Sequence, residues 1–326
     1  MTASNLPPLV TVFGGSGFVG RYVVRALAKR GYRIRVAVRR PDLAGFLRPD
    51  GYPGQIALMQ ANLRNKESVE RAVAGASHVV NCVGILFESG KNKFDSIQDL
   101  GAKTVAEAAA AAGAKLTHIS AIGADPKSAS TYASSKGRGE AAILAALPDA
   151  VILRPSIVFG KEDNFFNKFA AMARNLPFLP LIGGGKTKFQ PVFVGDVAEA
   201  VARSVDGKVA TGKTYELGGP EVMTFRNCLE TILRVTCRKR SLVSLPFGIA
   251  SLIGKIAQSV PLITPPLTSD QVTLLKTDTV VSDAAKTEDR TLSGLGIQPT
   301  LLSNVLPLYV VHYRPQGQFT NTGKAA

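Results

Sequence analysis

Leu9-Val10-Thr11-Val12-Phe13-Gly14-Gly15-Ser16-Gly17-Phe18-Val19-Gly20-Arg21 is the stretch that decides the fold. A short β-branched and aromatic run ending in glycines reads as a buried parallel strand. Apolar residues then recur at helical spacing from Phe18 to Arg30. Between the two elements, glycines stand at 14, 17 and 20. The first permits a tight turn, the second lets backbone approach a diphosphate, and the third lets the helix pack close to the strand. The helix start offers free N–H groups and a positive dipole end to an anion. Gly14, Ser16, Gly17, Phe18, Val19 and Gly20 are therefore expected to cradle a dinucleotide.

Outward from this loop, strands are expected at 34–38, 56–59, 78–82, 116–120 and 151–153, with helices at 67–74, 103–112 and 132–147. Single helices between strands give right-handed βαβ units and a doubly wound parallel sheet, an α/β Rossmann architecture. Residues 1–160 are expected to form the dinucleotide-binding domain, its sheet completed by about 189–220. A smaller C-terminal α/β domain and tail would take 161–188 and 221–326. The second strand ends in Val38-Arg39-Arg40-Pro41, where a carboxylate would select a ribose 2′-hydroxyl. Arg39 and Arg40 favour a 2′-phosphate through forked, charge-assisted contacts, so the expected cofactor is NADP(H).

Tyr132-Ala133-Ser134-Ser135-Lys136 spaces a phenol and an ammonium four residues apart. On a helix they share a face, where the lysine can lower the phenol's pKa toward working pH or hold a ribose hydroxyl.

The chain has 326 residues and a formal net charge of +15, with nine basic residues and one acidic between Arg21 and Arg48. Such a balance implies an anionic partner. Aromatics do not alternate with the basic residues as on a single-strand-binding platform, so nucleic acid is not expected. Cys82, Cys228 and Cys237 have neither disulfide arithmetic nor metal spacing; each sits in an apolar stretch and is expected as a buried reduced thiol. No window reaches the roughly 18–20 apolar residues of a membrane span. No targeting segment is read ahead of Leu9.

These motifs together resemble the short-chain dehydrogenase/reductase superfamily in its extended or atypical branch. Asn62-Leu63-Arg64 resembles the family's segment near the adenine, with Asn62 where an acidic residue is usual. Asn81-Cys82-Val83-Gly84 resembles the ribose-lining segment. Arg154-Pro155-Ser156-Ile157-Val158-Phe159-Gly160 resembles the segment that touches the nicotinamide, and Val194-Gly195-Asp196-Val197-Ala198 the helix start that returns to the sheet. The resemblance implies that Asn62, Leu63, Cys82, Val83, Gly84, Ser120, Pro155 and Ile157 line the cofactor, with Tyr132 and Lys136 as the catalytic pair. It also implies a serine that polarises the substrate, usually the second of a pair ending the fifth strand. Here His118-Ile119-Ser120-Ala121 puts Ser120 at the first place and Ala121 at the catalytic one. A side chain shifted by one in a strand points the other way. The pair is thus expected to position cofactor rather than react.

Phe13 to Arg21, His118 to Ala124, Glu162-Asp163 with Phe165-Phe166, and Pro191-Val192-Phe193-Val194 more narrowly resemble the nucleotide-binding accessory subunits of respiratory complex I. That resemblance implies tight NADP(H) binding, a structural role, other complex I subunits as partners, and docking on the peripheral arm near the membrane arm. It implies a bacterial counterpart on the cytoplasmic side of the inner membrane, or the matrix side if mitochondrial. A soluble NADP-dependent reductase or epimerase of the same fold is the alternative, and a redox regulator reading NADP(H) a third.

In the C-terminal part, Thr224 is expected to cap a helix running through Val235. Arg238-Lys239-Arg240 precedes an apolar helix from Leu245 to Val260, with Ile249, Leu252, Ile253 and Ile256 on one face. It reads either as an internal helix of the small domain or as a docking helix, the region 238–266 then meeting an anionic membrane surface. Pro261, Pro265 and Pro266 read as a rigid loop, and residues after about Pro315 as a disordered or partner-bound tail.

Overall fold

Six buried runs of the N-terminal half become β1 (Leu9–Phe13), β2 (Arg33–Val38), β3 (Ile56–Gln60), β4 (His78–Asn81), β5 (Lys115–Ile119) and β6 (Val151–Pro155). The protein is represented by a computed structural model that describes residues 6–259 and 267–320. With Thr214–Leu217 the strands make one seven-stranded parallel sheet, ordered Thr214–Leu217, β6, β5, β4, β1, β2, β3. β1 sits between β2 and β4, so the winding reverses there and leaves a crevice at the carboxyl ends of β1 and β4. Val10, Thr11, Val12 and Phe13 are fully buried, as a central parallel strand requires, and Thr11 donates its hydroxyl proton to the Ala72 carbonyl at 2.7 Å.

Helices α1 (Phe18–Lys29), α2 (Lys66–Val73), α3 (Leu100–Ala111) and α4 (Thr131–Ala146) connect these strands. A wide π-helical turn at Asp95–Asp99 leads into α3. α4 packs against its neighbours through Gly137 and Gly139. A Cβ at Gly137 would lie 2.4 Å from the Pro126 nitrogen, and one at Gly139 would lie 2.1 Å from the Gln98 carbonyl.

One compact unit comprises Met1–Pro155, Gly195–Leu217 and Asp283–Ile297. The break falls after Pro155, ahead of the expected 160, and 283–297 belongs with the sheet rather than with the small domain. The reason is an open sheet edge. The Glu216 amide donates to the Arg290 carbonyl at 2.9 Å and the Arg290 guanidinium to the Thr214 carbonyl at 2.6 Å, covering the last strand. The basic run 21–48 is largely consumed inside this unit. Arg30 pairs with Glu199 at 2.7 Å and Asp206 at 3.1 Å, Arg25 with Asp50 at 3.0 Å, and Arg35 donates to the carbonyls of Ala72 and Ala74.

The second unit comprises Ser156–Val194, Gly218–Ser282 and Gln298–Ala326. Its core is aromatic: Phe165 packs edge-on against Phe166, Phe169, Phe189 and Phe225 at 5.1–6.1 Å. Buried Asp163 accepts from the Tyr309 hydroxyl and from the Asn167 amide at 3.0 Å, tying the start of α5 (Phe166–Asn175) to a distant helix. Thr224 caps α7 (Phe225–Val235), the helix that follows α6 (Val194–Val205) in the chain, as expected, accepting from the Asn227 amide at 3.1 Å.

Three expectations change. Cys228 is buried, but Cys82 is half-buried and Cys237 is exposed, in left-handed backbone at φ 53° just past α7. Two arms of the 238–240 cluster hold the fold itself: Arg238 donates to the Tyr313 carbonyl at 2.7 Å and Arg240 to the Ala173 carbonyl at 2.9 Å. The apolar helix is α8 (Phe247–Ser259), and its face is not internal. Ile249, Leu252, Ile253 and Ile256 are 45–61% exposed. α8 packs through its small side instead, with Ala250 buried and Gly254 so close to the next helix that a Cβ would lie 2.7 Å from the Ser269 nitrogen. The loop prolines 261, 265 and 266 lie outside the described residues. Of the tail, Gly317–Phe319 forms a helical turn, and residues past 320 lie outside the described residues. No helix among the described residues is long and apolar enough to cross a membrane.

Candidate dinucleotide site

The glycine loop leaves β1 at the switch point. Gly14 takes φ +74° and its amide donates to the Ala37 carbonyl of β2 at 3.0 Å. A Cβ there would lie 3.0 Å from the Val83 side chain beyond β4, so loop and β4 end share one cradle. At Gly17 a Cβ would approach the Gly14 carbonyl to 3.2 Å, and at Gly20 it would stand 2.2 Å from that oxygen. α1 therefore lies directly on the turn. Gly17 caps α1 without a side chain and no acidic residue occupies the first turn, which leaves the helix start to an anion. Ser16, Phe18 and Val19 stand half-buried around this turn.

Tyr132 and Lys136 occupy successive turns of α4, as the spacing requires. Lys136 is buried and donates from Nζ to the Ile119 carbonyl at the end of β5, at 3.0 Å. Burial brings its pKa down to about 8, against the opposing pull of Glu140. A Cβ on Gly84 would sit 3.4 Å from that Nζ, in ordinary contact, so the segment after β4 runs alongside the ammonium. Burial also pushes the neighbouring Cys82 thiol up to about 12, so it is no nucleophile. Tyr132 is half-buried with its ring edge-on to Phe94 at 5.8 Å. Ser120 follows β5, 4% exposed, and its Oγ has no hydrogen-bond partner among the described residues. An orphaned buried hydroxyl beside a glycine-lined crevice fits a polar ligand completing the site.

The model of the NAD dependent epimerase/dehydratase family matches residues 10–218. The chain belongs to this family. Among its relatives are the mitochondrial subunits named NADH dehydrogenase (ubiquinone) 1 alpha subcomplex subunit 9. That of Arabidopsis thaliana is 36% identical over 323 residues, spanning 95% of this chain and 79% of its own. That of Mus musculus is 34% identical over 298 residues, spanning 90% and 77%. A Citrobacter triphenylmethane reductase solved with NADP(H) superposes with a TM-score of 0.71 at 19% identity, covering 92% of this chain and 99% of that one, and shares the fold.

The remaining expected site residues take the following places. Ala121 stands beside Ser120, half-buried and without a hydroxyl. Asn62 lines a cavity with Arg39, whereas Leu63 is buried in the core against Gly101, and Arg40 is held by Asp42 at 2.8 Å. Pro155 ends β6 in the sheet unit, its carbonyl accepting from the Ile122 amide at 3.0 Å. Ile157 lies in the second unit and packs on that unit's core.

Residues with no sequence signal complete the site's support. Buried Gln98 accepts from the Ile85 amide at 3.1 Å and donates to the Ser135 hydroxyl at 2.9 Å, fixing the segment after β4 to α4. Glu140, one turn past Lys136, is buried and pairs with Arg154 of β6. His118 is buried with both ring nitrogens unpartnered among the described residues, and burial holds its pKa well below the usual value.

Proposed function

We propose that this protein is an accessory subunit of respiratory complex I that holds NADP(H) as a structural group. The observation that carries the reading is the extent of the likeness. The family match ends at residue 218, yet identity to the Arabidopsis subunit continues over 95% of the chain, through the second unit. A reductase of the same fold also spans 92% of the chain but at only 19% identity, so it is the sequence of the second unit, not its presence, that the chain has in common with the subunits.

Gly14, Gly17 and Gly20 would hold the diphosphate, the segment Cys82 to Gly84 and Lys136 the ribose, Ser120 and Pro155 the nicotinamide end, and Arg39 the 2′-phosphate. The bound nicotinamide can supply or accept a hydride. With Ala121 at the place of the polarising hydroxyl, Tyr132 and Lys136 serve to position the cofactor. Docking would use the exposed face of α8 with Lys239, against neighbouring subunits and anionic lipid on the cytoplasmic side of a bacterial inner membrane.

Gentle solubilisation of native membranes tests this. The chain should migrate with complex I, and with Tyr132→Phe the assembled complex should keep its quinone reduction and its bound NADP(H). Recovery of the chain free of respiratory subunits, or a defined NADP-dependent activity lost in Tyr132→Phe with cofactor still bound, would support a reductase of the same family instead.

A further inference from the structure

A cavity of about 300 Å³ borders the ends of β2 and β3, lined by Arg39 and Arg71 together with the amides of Gln60 and Asn62. Asn65, Ser68 and Arg71, spaced by three, put one face of α2 along it. Long helical side chains lean toward the helix N-terminus, and α2 begins just past the carboxyl end of β3, so Arg71 leans toward the cofactor end of the sheet.

The two guanidinium groups differ from their neighbours. Among the described residues, neither Arg39 nor Arg71 has a hydrogen bond or a carboxylate partner, whereas Arg25, Arg30 and Arg40 each have one. No acidic residue lines the cavity, and Asn62 stands where the resemblance would place one. Two uncompensated, forked cations facing a carboxylate-free cavity are matched to a dianionic phosphomonoester. Arg40 is a poorer candidate, because the Asp42 carboxylate that holds it would repel the same dianion.

We propose that the 2′-phosphate of NADP(H) is gripped across this cavity by Arg39 and Arg71, not by the consecutive pair Arg39 and Arg40. The proposal rests on the NADP(H) reading above. It makes Arg71 a specificity-determining residue that no motif marks.

Titration of the full chain with NADPH, NADH, 2′,5′-ADP and 5′-ADP separates the two. The parent should favour NADPH over NADH and 2′,5′-ADP over 5′-ADP; equal affinities, or no binding, would overturn the NADP(H) reading before any variant is made. Arg71→Gln and Arg39→Gln should each weaken NADPH and 2′,5′-ADP by about ten-fold or more, the value of a charge-assisted contact. Unchanged NADH affinity in the same variants shows that the fold is intact. Arg40→Gln should change NADPH affinity by less than about two-fold, the scale of an exposed contact. Parental NADPH affinity in Arg71→Gln, or an equal loss of NADPH and NADH, would overturn the proposal while leaving the parent's preference standing.

Discussion

The Lys136 ammonium donates to the Ile119 carbonyl at 3.0 Å, so the last residue of β5 and the second turn of α4 are joined at the floor of the crevice. A carbonyl satisfies one of three ammonium protons. The others face a buried environment that disfavours the charge, and the pKa falls from 10.5 to about 8.

A pH dependence follows. In the unfolded chain this lysine titrates at its ordinary value, so between pH 8 and 10.5 the unfolded state binds a proton that the folded state has released. Stability contributed by this group therefore rises with pH across that window, and the burial penalty is fully present below it. The rise should amount to at most about 3 kcal/mol. Urea midpoints of the cofactor-free protein at pH 7.5 and 10 should differ more in the parent than in Lys136→Met. The same pH response in both would show that Lys136 is not penalised by burial.

Glu140 and Arg154 bind each other through forked contacts at 2.9 and 2.5 Å, with Glu140 6% and Arg154 25% exposed. Glu140→Gln leaves the guanidinium partly buried without a counter-charge, which should cost about 3 kcal/mol. Because Glu140 also holds the Lys136 pKa up, the stability rise of the parent should begin at lower pH in this variant. Replacing both partners, Glu140→Leu with Arg154→Leu, should recover much of the loss. A double variant as unstable as the single one would place the defect in packing.

The sheet is legible in the sequence because buried parallel strands are continuous β-branched runs, and each expected strand lies within a residue or two of its place. The second unit is not legible in this way. Among the described residues, two of its pairings join two-residue strands, such as Val158–Phe159 with Val192–Phe193, too short for any periodicity to show, and the third joins Phe178–Ile182 to Ser241–Leu245 across a long stretch of chain. The same holds at the site. Gly14, Gly17, Gly20, Tyr132 and Lys136 announce themselves by spacing. Gln98, Glu140 and Arg71 do not, since their roles arise from chain brought together by the fold, as when Gln98 reaches the Ile85 amide. Nor does the spacing announce that Asp42 turns back to pair with Arg40.

Gly20→Ala should destroy the nucleotide cradle rather than tune it. The added methyl would stand 2.2 Å from the Gly14 oxygen and 2.7 Å from the Gly15 Cα, both backbone atoms that cannot swing aside. α1 must then lift off the turn, at a cost of about 1–3 kcal/mol or more for overpacking. Thermal unfolding should shift down and nucleotide retention through gel filtration should be lost. Gly45→Ala, at a position with nothing within 4 Å of an added Cβ, serves as the control and should change neither.

The exposed face of α8 separates a docking role from a packing one. Leu252 and Ile256 are 59% and 61% exposed, one turn apart, while Phe247, Ala250 and Gly254 make intramolecular contacts of the helix. Substitutions on the outer face therefore remove only a minor part of the area buried in the isolated chain, and surface changes of this kind usually stay within about 0.5 kcal/mol. Leu252→Lys with Ile256→Lys should leave the urea midpoint of the purified protein unchanged. In native membranes the same variant should release the chain, because two ammonium groups forced into an apolar interface must be desolvated without partners. A high-salt wash sharpens the comparison. Salt screens attraction between exposed charges but strengthens apolar burial, so the parent should stay bound at high salt. Membranes that retain the double variant as firmly as the parent would show that α8 faces neither lipid nor a subunit.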